Sequence, residues 1–177
     1  LGATEEFRRF ADLRGTSVLA LRLFLDGDIE TPHSANACWG FDEGVGMTWF
    51  DLKRLHAPRL DAEAGAVIEI DFYHASPLLV QSDEALIAKA KNYLDTMVPA
   101  AAATSVVDAA VVRLPAAVNW YFPGSYRSMP DVRSSSFDNA YFVGDVVRTR
   151  HGSWSQEKAY VTGLEAANAL LGRPIDH

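Results

Sequence analysis

Apolar and polar positions alternate most cleanly over residues 66–73. Ala66, Ile68, Ile70 and Phe72 fall on one face of an extended chain, and Val67, Glu69, Asp71 and Tyr73 on the other. That alternation predicts a strand with one wet face. Residues 16–25 instead form a nearly continuous apolar run closed by Asp26-Gly27-Asp28, which predicts a strand buried on both faces. Residues 35–41 and 46–52 read as two further strands joined by Asp42-Glu43-Gly44-Val45-Gly46, a hairpin with a loop longer than the tightest turns. The period then changes. After Ser82-Asp83-Glu84, apolar residues recur at Leu86, Ala90, Leu94 and Met97, and Pro99 follows. This predicts a capped helix over 82–97, with Ser82 as N-cap and two acids in the first turn. A short helix is expected over 4–14 and a strand over 105–114.

The C-terminal third has a different texture. Residues 115–138 are rich in Pro, Gly and Ser and carry Trp120, Tyr121, Phe122 and Tyr126. Residues 140–143 predict a short strand ending in Gly144-Asp145. From about residue 153 to 171, Ala159, Gly163, Ala166, Ala167 and Leu170 share one face of a helix that Gly172 and Pro174 terminate. A face of such small residues lets the helix axis approach a sheet or a ligand closely. The expected class is therefore mixed α/β. No internal repeat occurs, and no linker splits the chain into separate domains.

Composition narrows the function. The 177 residues are 49% hydrophobic with a net charge of −7, and no cluster of Lys and Arg is present to neutralise a phosphate backbone, so a nucleic-acid surface is not expected. No apolar run reaches the roughly 18 residues of a membrane span. A single cysteine, Cys38, excludes an intrachain disulfide and reads as buried filler. The five histidines show no paired ligand spacing, so no metal site is expected; His151, in the loop after Gly144-Asp145, reads as a surface histidine. No serine sits in a nucleophile elbow. The sequence opens at Leu1 without methionine, which suggests a processed, truncated or partial chain.

Two features point toward chemistry. A glycine at a strand end allows close backbone approach, and an aspartate beside it can accept hydrogen bonds from a polyol. The free amides that open the next helix favour a carbonyl or phosphate oxygen. Glu157, at that helix start, reads more readily as an acid complementing the helix dipole than as a general base. The aromatic residues Trp39, Phe41, Trp49 and Phe50, on adjacent strands, are either plain core or part of an apolar tunnel.

Gly144-Asp145 followed by Gln156-Glu157-Lys158-Ala159 and Thr162-Gly163 with Ala166-Ala167 resembles the C-terminal signature of FAD-dependent amine oxidases and phytoene desaturase-type carotenoid enzymes. Trp120 with Gly124-Ser125-Tyr126 resembles that family's flavin-proximal segment. Leu21-Arg22-Leu23-Phe24-Leu25-Asp26 resembles the strand leading into its substrate domain. The likeness is densest over 118–171. It implies a two-domain fold in which residues 1–115 belong to the substrate domain and 116–177 return to the FAD domain. It implies FAD as cofactor, with Gly144 and Asp145 at the ribityl–phosphate portion and Gln156, Glu157, Lys158 and Ala159 at the flavin edge. Trp120 and Tyr126 would lie near the ring. No catalytic acid or base is assigned. The resemblance further implies an isoprenoid-like lipophilic substrate and either a plastid or photosynthetic-membrane periphery, where carotenoid-type members are often peripherally attached, or otherwise a soluble intracellular location.

Three departures qualify it. Lys158 stands where the family usually has glycine. The loop over 146–154 is unusual in its Arg-Thr-Arg-His-Gly-Ser-Trp content. No GxGxxG occurs; Gly44-Val45-Gly46 comes nearest but lacks the third glycine and a following helix. The adenosine end of FAD would have to be held by another segment or a partner chain, and residues 1–177 alone are expected not to retain FAD. A non-catalytic, desaturase-like structural subunit is the alternative, and a lipid- or isoprenoid-binding module without redox chemistry is a third reading.

Overall fold

The computed structural model describes residues 2–150, 152 and 155–174. Contacts divide the chain into two compact units, Thr16–Ala117 and a second that joins Leu1–Gly15 to Val118–His177. The class is mixed α/β.

The five-stranded sheet comprises β1 (Gly15–Leu25), β2 (Ala35–Asp42), β3 (Val45–Asp51), β4 (Val67–Tyr73) and β5 (Val106–Asn119), in the order β2-β3-β4-β1-β5. The pairs β1–β4, β2–β3 and β3–β4 are antiparallel. The alternation read in β4 holds. Ile68, Ile70 and Phe72 are buried, whereas Glu69, Asp71 and Tyr73 on the other face keep partial access to water; Val67 is buried despite its place on that face. In β1, Leu19, Leu21, Leu23 and Leu25 are buried. Arg22 is exposed and forms an ion pair with Glu69, its cross-strand neighbour, so β1 is not buried on both faces. The long stem of arginine lets the charge reach water from a mostly apolar strand.

The hairpin β2–β3 is tighter than its sequence suggests. Asp42 pairs with Val45, leaving Glu43-Gly44 as a two-residue loop with Gly44 at φ 70°. The strand β5 runs past the expected end at 114 and through Pro115. As an edge strand it can present the imino nitrogen away from a partner. Helix α3 (Asp83–Met97) begins as the sequence indicates: the Ser82 Oγ accepts the Ala85 amide at 3.3 Å, and Leu86, Ala90 and Leu94 pack into the sheet core. The single-turn helix α2 (Leu52–Leu55) is capped by Asp51, whose carboxylate also accepts from the Thr31 hydroxyl at 2.8 Å.

The aromatic residues on β2 and β3 divide. Trp49 is core, and Phe41 packs on Tyr93 of α3 with ring centroids 4.6 Å apart. Trp39 is 78% exposed and lies over Gly46, where an added Cβ would meet its ring at 2.8 Å.

The second unit opens with α1 (Glu5–Arg9), capped by Thr4 and continued by a 3-10 turn over Phe10–Asp12. It closes with α4 (Ser155–Leu170). The expected start of that helix at 153 lies outside the described residues, as do His151, Trp154 and His177. Gly172 takes φ 64°, its amide bonding Ala169 O, while the Arg173 amide bonds Asn168 O; this is the paired closure that glycine at this position permits. The apolar core here is small: Val132, Val147 and Ala166, with Tyr141, Phe142 and Val146 against them. Phe7, Phe10, Phe137 and Phe142 add a group of edge-on and tilted rings 5.2–5.8 Å apart.

Two expectations fail in this unit. Residues 140–143 form no strand; Tyr141 makes one isolated bridge to Arg133, since the chain beside it pairs at too few points for a ladder. The small-residue face of α4 is not its packed face either. Lys158, Thr162, Glu165 and Ala166 are buried, whereas Ala159 and Ala167 are exposed and Leu170 is 65% exposed. Size alone does not choose the inward stripe, because a lysine stem and a threonine methyl supply apolar contact while their polar ends find partners.

A candidate site around Gly144, Asp145 and the start of α4

Thr162 joins the Gly144-Asp145 turn to α4. The Gly144 amide donates to Thr162 Oγ1 at 3.0 Å, and the hydroxyl has the carbonyls of Lys158, Ala159 and Gly144 at 2.9, 3.1 and 3.1 Å for its one proton. Gly144 adopts φ 120°, a conformation that a side chain would strain, and a Cβ there would meet no atom within 4 Å. The turn is thus seated on the helix one turn beyond Lys158.

Tyr121 reaches the same place. Its hydroxyl donates to Asp145 O at 2.7 Å, and its ring lies 4.9 Å from Lys158 Nζ. Lys158 is only 4% exposed, with Met129 Sδ at 3.9 Å as a weak acceptor. Among the described residues it forms no salt bridge. Burial pushes the Lys158 ammonium below its ordinary pKa, with the Asp145 charge acting in the opposite sense. Burial likewise raises the Tyr121 phenol, the Asn119 hydrogen bond lowering it and the Asp145 charge adding to the rise.

The sequence-derived residues therefore fall into groups. Gly144, Asp145 and Lys158 come together. Gln156, Glu157 and Ala159 lie on the same helical turn as Lys158 but are exposed. Trp120 is 42% exposed and stacks edgewise on Phe122, with centroids 5.8 Å apart. Tyr126 is 56% exposed, with the Arg148 guanidinium 5.8 Å over its ring. It is Tyr121 whose hydroxyl reaches Asp145. Sequence reasoning passed over Tyr121 and Thr162 as site members. A signal for Thr162 was available, since it stands four residues after Lys158 on one helical face.

The surrounding chain is held by polar contacts. Glu6, 5% exposed, accepts from Ser134 Oγ at 2.6 Å and from the Ser135 and Ser136 amides at 2.9 and 3.2 Å. Burial raises its pKa, but these donors outweigh burial and bring it down from 4.5 to about 2. Thr149 Oγ1 donates to Glu165 Oε1 at 2.9 Å. Among the described residues no group of three His, Cys, Asp or Glu is placed to hold a metal ion, and no helix is long and apolar enough to cross a membrane. No protein-family model matches this chain, and no curated protein matches it.

Proposed function

We propose that this chain is the C-terminal section of an FAD-dependent oxidoreductase of the amine oxidase and carotenoid desaturase type. In this reading Gly144 and Asp145 face the ribityl–phosphate portion, and the backbone of Gln156, Glu157, Lys158 and Ala159 faces the flavin edge. The observation that carries it is the seating of the Gly144-Asp145 turn on α4 through Thr162. A turn and a helix start that must grip one ligand have to be fixed relative to each other.

The residues present suit a flavin on that side. A Cβ built at Gly144 or at Gly163 meets nothing within 4 Å, and the exposed Ala159 leaves the helix surface low. Flavin, when bound, supplies the hydride-accepting chemistry, and this chain supplies position and shielding. Asp145 would accept hydrogen bonds from ribityl hydroxyls, and the first-turn amides of α4 would donate to a ring carbonyl. Lys158 would contribute its backbone only, since its side chain turns inward. Residues that hold the adenosine end belong to another segment or a partner chain. A lipophilic, isoprenoid-like substrate and a plastid or photosynthetic-membrane location belong to this proposal through the resemblance alone.

One observation favours the alternative, a non-catalytic desaturase-like subunit. The Lys158 amine and the Tyr121 ring sit beside Asp145, where the family's glycine would leave room. Visible absorbance distinguishes the readings. Protein expressed from the complete coding sequence, given FAD and desalted, should carry flavin bands, and Asp145→Ala should lose them. A colourless wild-type preparation that becomes flavin-loaded with Lys158→Gly would establish the non-catalytic reading. Colourless preparations of both would remove the flavin reading altogether.

A further inference from the structure

A concavity lies within the second unit. It has a volume of about 690 Å³ and is lined by Tyr126, Val132, Arg133, Arg148, Arg150 and Glu165, with Asp131 and Thr149 beside them. That volume suits a small-molecule ligand. Its charge does not follow the rest of the chain. The protein as a whole carries −7, yet three arginines converge here against two carboxylates.

Both carboxylates are engaged. Asp131 is in an ion pair with Arg148 Nη2, and Glu165 accepts from Thr149. The Arg148 backbone is fixed by the hydrogen bond that its amide donates to Pro130 O at 2.7 Å, and its guanidinium is held over the Tyr126 ring. The side chain is thus pre-positioned at the cleft. Its Nε is buried and has no hydrogen-bond partner among the described residues, and an unmet buried donor on a cation is costly. Arg133 and Arg150 are exposed at the cleft. Guanidinium forks match the paired oxygens of phosphate esters and donate to them bidentately.

We propose that this cleft binds a phosphate-bearing ligand, with Arg133, Arg148 and Arg150 holding the anionic group. The proposal does not rest on the flavin reading. The cleft shares only Tyr126 with the residues assigned to flavin, and its test is made without added flavin. The same chemistry is offered by a soluble nucleoside diphosphate and by an anionic lipid headgroup, and the experiment separates these sources.

The probe is inorganic pyrophosphate, titrated calorimetrically into the 177-residue protein at low ionic strength. One-to-one binding that weakens with added salt is expected. The double variant Arg133→Ala/Arg150→Ala should bind about tenfold more weakly or worse, as expected when charge-assisted hydrogen bonds are lost. Arg133→Lys/Arg150→Lys keeps the charge and should retain part of the affinity, and Arg22→Ala, on the sheet, should change nothing. Circular dichroism of each variant confirms that the fold survives. ADP that displaces pyrophosphate assigns the site to a nucleotide. Capture by phosphatidylglycerol vesicles but not phosphatidylcholine vesicles, lost in the alanine double variant, assigns it to a lipid headgroup. Absence of pyrophosphate binding at millimolar concentration, or binding that the alanine double variant leaves unchanged, overturns the proposal.

Discussion

The sheet unit and the C-terminal unit are stabilised by different means, and the difference shows where chemistry can be placed. In Thr16–Ala117, eighteen buried apolar residues form one cluster against α3, and the ion pairs recorded there have water-accessible partners. In the unit that contains 118–174, the apolar cluster among the described residues is the small group Val132, Val147 and Ala166. Buried Glu6, Lys158, Thr162 and Glu165 take positions that aliphatic side chains would fill elsewhere. A small core leaves more of the stability to hydrogen bonds, which are directional and individually weak. The same directionality fixes Gly144 on α4 and lets a charged group remain inside. Every residue proposed to face flavin, and the arginine cleft, lies in the polar-stitched unit.

Substitutions in the two units should therefore behave differently. Leu21→Ala removes a fully buried side chain from the middle of β1 and should cost about 3–4 kcal/mol, read as a lowered denaturation midpoint at any moderate pH. A loss below about 1 kcal/mol would mean that the sheet core is not the dominant support. Glu6→Gln should cost less, about 2 kcal/mol, because the amide can still accept but carries no charge. Its signature is the pH dependence. The folded-state pKa of Glu6 is about 2 against 4.5 in its ordinary state, so its contribution is present above pH 4.5 and is lost as pH falls through 2. The Glu6→Gln protein should show a flatter acid limb across that window, and a parallel limb would remove Glu6 as the stitch.

Asp71 tests the opposite sign in the sheet unit. Burial raises its pKa from 3.8 to about 6, the Glu69 charge adds to the rise and the Arg22 charge offsets part of it. The neutral form is favoured in the fold, so its contribution is present below pH 3.8 and is lost as pH rises through 6. Discounted for its access to water, Asp71→Asn should stabilise by about 1 kcal/mol at pH 8 and do little at pH 4. Equal melting shifts at both pH values would contradict that assignment.

The same contrast decides what could be read from the sequence. Period-two alternation in β4 and the capped 3.6-residue period of α3 are consequences of a one-sided apolar core, so both were legible. The continuous apolar run of β1 concealed the outward arginine. The two-residue hairpin was obscured because Asp42 and Val45 look like loop residues until they pair. In the C-terminal unit, pattern reading chose the small residues of α4 as the inner face; of these Ala166 is buried, but it shares that face with Lys158, Thr162 and Glu165. Hydropathy gives such residues no inward signal. Gly144-Asp145 and the helix that follows were legible by spacing. Tyr121 could not be assigned, because its hydrogen bond to Asp145 O joins positions 24 residues apart through an irregular chain.

The central claim is that polar contacts, not apolar burial, fix the Gly144-Asp145 turn on α4. Hydrogen exchange of the Gly144 amide in wild type and in Thr162→Val tests it most directly. Valine keeps the shape but removes the oxygen that accepts the amide, so protection at Gly144 should fall by about tenfold or more while the β1 and β4 amides keep theirs. Unchanged protection at Gly144, or an equal loss in both units, would contradict the account.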